Sequence, residues 1–420
     1  MHTTSIIIFL LCVSAAVMGH TEANSVQCEG ICERESLTNG FFGLNEALEN
    51  NGLEIALSAT QVYQQNARGG LSTRNKAGRY EGSYDLELNA DMQKLLGIEG
   101  GSMYMLTEGS WSNGINDNSV GSIFGVNGDA AGNEPIDVTQ LWYQQWFAEE
   151  TFAIRFGKID MTGGFECSGC PVSFDGNRFA NDETAQFLNS ALVNNPTIPF
   201  PDEGLGVVLH WNPIDWWYAS FGIADAQANR NTTGFNTAFQ DEDDYISMFE
   251  TGITPQFDSA NGPLQGAYRV GVWYDPQVKE RFSDETVKRD DTGFYLSLDQ
   301  TLMKENRDDN DAQGLGVFAR YGYADKSVNE ITQFVSSGVQ YRGLFEGREN
   351  DVLAAGVGCG TISDDSDPSA EAETVYEAYY KVQITKWFHL TPDIQYINNP
   401  GGDGNSSDAL VVGLRAQMSF

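Results

Sequence analysis

Apolar and polar residues alternate along this chain from about residue 51 to its end. The pattern is sharpest at the close. Leu410, Val412, Leu414, Ala416, Met418 and Phe420 share one face, and Val411, Gly413, Arg415, Gln417 and Ser419 share the other. A period of two with one apolar face marks a strand between two unlike environments. The same rhythm sets Tyr84, Leu86 and Leu88 against Asp85, Glu87 and Asn89. It sets Phe152, Ile154 and Phe156 against Ala153, Arg155 and Gly157, and Tyr376, Ala378, Tyr380, Val382 and Ile384 against Glu377, Tyr379, Lys381 and Gln383. A soluble fold rarely leaves such a strand at an open terminus. A closed barrel in a membrane uses it as the seam, apolar face in lipid and polar face in the lumen.

The connections fall into two kinds. Gly97 to Gly101, Asn212-Pro213-Ile214-Asp215 and the Lys386-Trp387-Phe388 corner are short. Stretches near 112–137, 225–244, 361–373 and 399–408 are long, polar and rich in Gly, Asn and Asp. Short turns on one side and long loops on the other is the asymmetry of an outer-membrane barrel. Trp216, Trp217, Trp387 and Phe388 crowd the short turns, as an interfacial girdle would. Residues 40–50 predict a short helix stopped by Asn51-Gly52. The expected fold is therefore all-β: a transmembrane antiparallel β-barrel over residues 51–420, preceded by a short periplasmic helical segment within residues 24–50.

One stretch breaks the rhythm. Residues 161–203 show no alternation, predict a helix from Asn181-Asp182-Glu183-Thr184 through Leu192, and exit through Pro196, Pro199 and Pro201. A structured stretch of this length between strands is usually functional. In a pore it can fold inward and narrow the lumen; otherwise it lies across the mouth.

Composition agrees with a wet-and-lipid fold. Aromatics make up 12% and the mean hydropathy is -0.34, as expected when only alternate residues meet lipid. The formal charge of -35 argues against a nucleic-acid binder that works by phosphate neutralisation. The runs at Asp241, Asp308 and Asp364 read as solvated surface loops or as divalent-cation contacts at a lipopolysaccharide surface; the Asp308 run lacks the Gly and final Glu of an EF-hand. Ile6 to Met18 is an apolar run of signal-peptide length, which assigns residues 1–23 to export. Leu10-Leu11-Cys12 lacks the small residue of a lipobox. Cys28 with Cys32, and Cys167 with Cys170, are close pairs that in an oxidising compartment form local disulfides. A four-thiolate zinc site and a thioredoxin-like role are the alternatives. Cys359 alternates in phase with Leu353, Ala355 and Val357, which places it on the lipid side.

Parity then assigns polar residues to the lumen: Asp85, Glu87, Arg155, Arg269, Arg320, Glu377, Gln395 and Arg415, with Asp160 at a strand end. On the lipid face Arg269 or Arg320 would cost roughly 2–4 kcal/mol at the midplane. Only His210 and His389 remain after the signal, each near a strand end, and no phosphate-cradling loop is present. No catalytic set, cofactor or metal is expected.

Four pieces of the chain resemble carbohydrate-selective porins of the OprB type. They are Gly157-Lys158-Ile159-Asp160, the run Phe179 to Asn189, the run Gly314 to Gly322, and the run Thr391 to Gly402, completed by the last strand to Phe420. The resemblance implies sixteen strands, a place in the bacterial outer membrane among lipids and lipopolysaccharide, and diffusion of small sugars into the periplasm. It implies that Phe420 is read by the barrel-insertion machinery. The Cys-rich head and the Cys-Ser-Gly-Cys insert stand outside it. A general or cation-preferring porin of the same fold, and a secreted soluble all-β sugar-binding protein, are the rival readings. Homotrimer and monomer are both open.

Overall fold

The computed structural model describes residues 30–162, 174–239, 243–284, 286–308 and 312–420. The predicted signal and the cysteines Cys28, Cys167 and Cys170 lie outside these residues. Sixteen long strands dominate. The first half comprises β1 (Leu53–Gly70), β2 (Gly78–Asp91), β3 (Gly101–Trp111), β4 (Glu134–Phe147), β5 (Phe152–Ile159), β6 (Gly204–Ile214), β7 (Trp217–Asp225) and β8 (Tyr245–Ile253). The second comprises β9 (Leu264–Asp275), β10 (Asp291–Lys304), β11 (Gly314–Tyr323), β12 (Ile331–Arg342), β13 (Val352–Ile362), β14 (Ala372–Thr385), β15 (Phe388–Asn398) and β16 (Ser407–Ser419). Each pairs antiparallel with its neighbours in sequence, and β1 pairs with β16 from Ser58↔Ser419 to Gly70↔Ser407. That last ladder closes the sheet, so no open edge remains to be satisfied in lipid. Among the described residues no helix is long and apolar enough to cross a membrane; the crossing elements are strands.

The burial pattern is inverted relative to a water-soluble protein. Alternate apolar side chains on the outer face stand exposed: Val270 43%, Val272 47%, Phe249 42% and Val335 52%. A continuous exposed apolar belt is unfavourable in water and suits hydrocarbon. Val412 is exposed while Arg415 and Val411, on the opposite face of β16, are fully buried. Cys359 follows the outer phase, between inner-face glycines Gly358 and Gly360, and accepts a hydrogen bond from Thr374 Oγ1 at 3.4 Å.

The barrel is filled from within. Residues 174–203 and the β3–β4 connection both pack against the inner wall. Phe187 is enclosed by Phe318 and Tyr379 in edge-to-face contacts, with Leu192 and Ala354 beside it. Ile115, Val120, Phe124 and Val126 of the β3–β4 connection join Ala191, Phe334, Val375 and Val411 in a second cluster. The wall makes room by omitting side chains. A Cβ on Gly356 would come within 3.1 Å of both Leu192 and Phe187, and one on Gly360 within 2.5 Å of Phe124.

The first helix, α1 (Asn39–Glu49), occupies the predicted place, is capped by Thr38 Oγ1 and stops before Gly52. Residues 40–43 inside it take left-handed backbone angles, so its first turn is irregular. The helix predicted over 181–192 is not formed. Asp182 Oδ1 accepts from Thr184 N, Thr184 Oγ1 and Ala185 N and folds the chain into a turn. Helical geometry is confined to Ser190–Val193. Short polar side chains that start helices also close turns, and here contacts with the wall decide between the two. The seam is reinforced at the short-turn end. Leu37 N donates to Ser419 O at 2.8 Å, Trp387 Nε1 to Ile31 O at 2.8 Å and Phe420 N to Leu57 O at 2.9 Å.

Candidate functional site: the lumen and its inward segment

The eight parity-assigned residues and Asp160 are buried or half-buried, and they divide by what they touch. Arg320, with a side chain 0% exposed, donates to Leu192 O at 2.9 Å and Ala180 O at 2.6 Å and lies 3.2 Å from Asp175 Oδ2. Arg415 donates to Glu183 O and Gln186 O, both at 2.8 Å. Glu377 accepts Leu188 N at 2.7 Å and Asn189 N at 2.8 Å. Gln395 accepts from Asn189 Nδ2 at 3.0 Å and donates to Val126 O at 2.9 Å. Arg269 pairs with Asp299 at 2.8 Å, and Asp299 also receives Arg178 of the segment at 2.6 Å. The first four hold the inward chain directly, and Arg269 does so through Asp299. Arg320, Arg415, Glu377 and Gln395 satisfy backbone groups that would otherwise be buried without partners.

Arg155 packs over the Trp142 ring at 3.9 Å and donates to Gln144 Oε1 at 2.9 Å, so it braces the wall. Asp85, Glu87 and Asp160 are half-buried. Asp85 accepts from Ser58 Oγ at 3.0 Å, Glu87 from Tyr104 OH at 3.1 Å, and Asp160 from Thr162 N at 2.7 Å.

The motifs acquire a physical meaning here. In the run Gly314 to Gly322 the even positions face inward. A Cβ on Gly316 would meet the Phe179 ring at 2.2 Å, and one on Gly322 would meet Thr197 Oγ1 at 2.1 Å. Phe318 and Arg320, between these gaps, grip the segment. Lys158 Nζ donates to Val138 O and Thr232 O, both at 2.8 Å, and to Arg230 O, which draws the β7–β8 loop in over the wall.

Toward the long-loop end a cavity of about 200 Å³ remains open, lined by Glu108, Asp160, Glu183, Asp202, Glu203 and Arg230, among others. Arg230 pairs with Glu108 at 3.2 Å and lies 4.0 Å from Glu203. Burial and the neighbouring Asp182 push the Glu183 carboxyl up to about 8. Burial and Asp160 push that of Glu203 up to about 7, against the opposing pull of Arg230.

Several residues of this site do not follow from parity. Glu250 accepts Tyr218 OH at 2.6 Å, Tyr295 OH at 2.9 Å and Asp175 N at 2.9 Å. Its alternation with Ile246 and Met248 gives the face but not the partner. Glu183, Glu203 and Arg230 lie in or beside loops, where period-two reasoning does not apply, whereas Glu108 lies within β3, paired with Asp85 and Asp137. The inward fold of the β3–β4 connection was signalled only by Ile115, Val120, Ile123, Phe124 and Val126 among its glycines.

Comparison with known proteins gives the family and the fold. A family described as "Carbohydrate-selective porin, OprB family" matches residues 75–420. Porin B of Pseudomonas aeruginosa is 23% identical over 417 residues, covering 90% of each chain. A putative porin, QuiX, of Acinetobacter baylyi is 23% identical and covers 97% of this chain and 98% of its own. The high-pH structure of Pseudomonas putida OprB superposes with a TM-score of 0.79 at 21% identity, over 93% of this chain and 99% of that one.

Proposed function

Because this chain belongs to the carbohydrate-selective porin family, OprB, we propose that sugars pass between its β2–β5 wall and the inward segment of residues 174–203. The protein is an integral β-barrel of the outer membrane, and its function is sugar-selective diffusion into the periplasm. Passive diffusion needs a narrow wet path whose walls hold position and whose contacts are weak enough to release.

One observation carries the reading: the segment is fixed to the wall by Arg320, Arg415, Glu377 and Gln395, so it cannot yield to a passing solute. The half-buried groups left along the path, Asp85, Glu87, Glu108 and Asp160, are hydrogen-bond acceptors of the kind that hydroxyls satisfy. Liposomes carrying the protein should swell in glucose, and added maltose should reduce single-channel current. Swelling without sugar block would assign the protein to general diffusion instead.

A cation-preferring passage is the second reading. It is favoured by the excess of carboxyl groups over the guanidinium of Arg230 around the long-loop cavity. Reversal potentials in a salt gradient test it.

At the seam, Phe420 ends β16 and its N–H binds Leu57 O. That placement supports its reading as an assembly signal. Deleting Phe420 should lower the amount of inserted barrel while the barrels that do insert keep wild-type conductance.

A further inference from the structure

At the short-turn end, on the wall opposite the acidic cavity, lies a larger open vestibule of about 700 Å³. Its lining includes Arg178, Phe179, Gln265, Gln313, Gln340 and Arg342. Arg178 and Phe179 come from the inward segment, and the rest come from β9, β12 and the β10–β11 turn. None of the described lining residues is acidic.

The vestibule is built rather than left over. Phe179 packs its ring where Gly316 has no side chain, and its N–H is held by Asn177 Oδ1 at 3.1 Å. Arg178 is fixed by Asp299 Oδ1 at 2.6 Å and Gln265 O at 2.8 Å. Gln186 Nε2 holds the carbonyl of Arg178 at 2.8 Å. Arg342 is steadied by Asn350 Oδ1 at 2.7 Å. Gln340 Oε1 is a buried acceptor with no hydrogen-bond partner. A buried polar atom left unpaired is costly unless a visitor satisfies it.

Resting on the passage proposed above, we infer that this vestibule is a docking site for a neutral pyranose, with Phe179 as the platform and Gln340 and Arg342 reading the hydroxyls. A pyranose has one face of C–H groups and a rim of hydroxyls. A fixed aromatic ring complements the face, and an amide that both donates and accepts complements the rim. Guanidinium groups donate and do not accept, so the carbonyl oxygen of Gln340 supplies the acceptor that the described lining otherwise lacks in its charged groups. The site holds solute leaving the narrow path and shortens its return.

Maltose titration of single-channel current tests this on the whole protein. Phe179→Ala should raise the half-blocking maltose concentration about tenfold, and Phe179→Trp should keep it within about twofold, as stacking contributions indicate. Because Phe179→Ala can also loosen the segment, Gln340→Leu is the second variant, since Gln340 does not tie the segment down. It should raise the half-blocking concentration about fivefold, the effect of one hydrogen bond, with salt conductance unchanged. Unchanged block in both Phe179→Ala and Gln340→Leu overturns the docking site. So does equal block of the wild type by inorganic phosphate, which would make the vestibule an anion site. Liposome swelling in glucose separates the two claims: swelling with unchanged block removes only the docking site, whereas absence of swelling removes the passage itself.

Discussion

The acidic cavity at the long-loop end and the vestibule at the short-turn end use one lumen and opposite chemistry. At the long-loop end Glu108, Asp160, Glu183, Asp202 and Glu203 surround Arg230. At the short-turn end Arg178 and Arg342 stand with glutamines around Phe179. The same inward segment builds both, with Glu183 on one side and Arg178 and Phe179 on the other. The inserted chain contributes to both regions, and the strands and other loops supply the rest of each lining. The barrel contributes anchors, and Arg320, Arg415 and Glu377 are consumed in that work.

Breaking the anchors should abolish the distinction most completely. Arg320→Ala leaves Asp175 buried without its cation and frees the carbonyls of Ala180 and Leu192. Removing one partner of a buried pair costs about 3–5 kcal/mol. We expect a several-fold rise in single-channel conductance and loss of maltose block, together with a lower heat-modifiability temperature on gels. A wild-type channel from this variant would show that the segment is held by other means.

The two faces of β16 offer a smaller test of the frame that carries both regions. Val412→Arg places a charge on the exposed face and should destabilise the barrel by about 2–4 kcal/mol if the site lies near the midplane. Refolding titrations in lipid vesicles measure it. An unchanged midpoint would mean that this face does not meet hydrocarbon.

Charge at the acidic cavity should tune ion preference more gently. Arg230→Gln removes the guanidinium that pairs with Glu108 and approaches Glu203. The cation-to-anion permeability ratio should rise about two- to threefold, a modest change in a focused field. Reversal potential in a salt gradient gives the ratio, and an unchanged value would place the conducting path elsewhere.

Acidity gives the smallest effect, with a definite sign. The carboxyls of Glu183 and Glu203 are raised, to about 8 and about 7, so they are largely neutral below those values and ionise as pH rises. Asp182, Glu108 and Asp160 oppose that ionisation, and Arg230 favours it at Glu203. Cation preference should therefore increase between about pH 6 and pH 9. Glu183→Gln with Glu203→Gln should flatten the profile. A profile that falls over that range would reverse the assignment.

The comparison also marks how far the sequence could be read. Strand faces were legible because one face of each strand meets a uniform medium; Arg155, Arg269, Arg320 and Arg415, which alternation set opposite the apolar face, are buried. Their tasks were not legible. Alternation says which way a side chain points, whereas Arg320 is defined by carbonyls 128 and 140 residues away in sequence. The inward segment was recognisable as an interruption of the rhythm, but its secondary structure was misjudged. Asp182 and Thr184 favour a helix start and a tight turn equally, and Glu377 and Arg415 select the turn by binding Leu188 N, Asn189 N, Glu183 O and Gln186 O. The β3–β4 connection looked like a solvated loop because its apolar residues are spaced by glycines and follow no period. Of the acidic cavity only Asp160 was among the candidates, because Glu203, Arg230 and Glu183 come from loops.

On the proposal above, the inward segment is the element that narrows the path and chooses sugars. Replacing residues 176–198 by a short Gly-Ser linker and recording single channels with and without maltose measures that claim. Heat-modifiable migration confirms that the shortened barrel has inserted and closed. The account predicts a conductance several times that of the wild type and no maltose block. Wild-type conductance with wild-type block from a normally inserted, shortened barrel would contradict it.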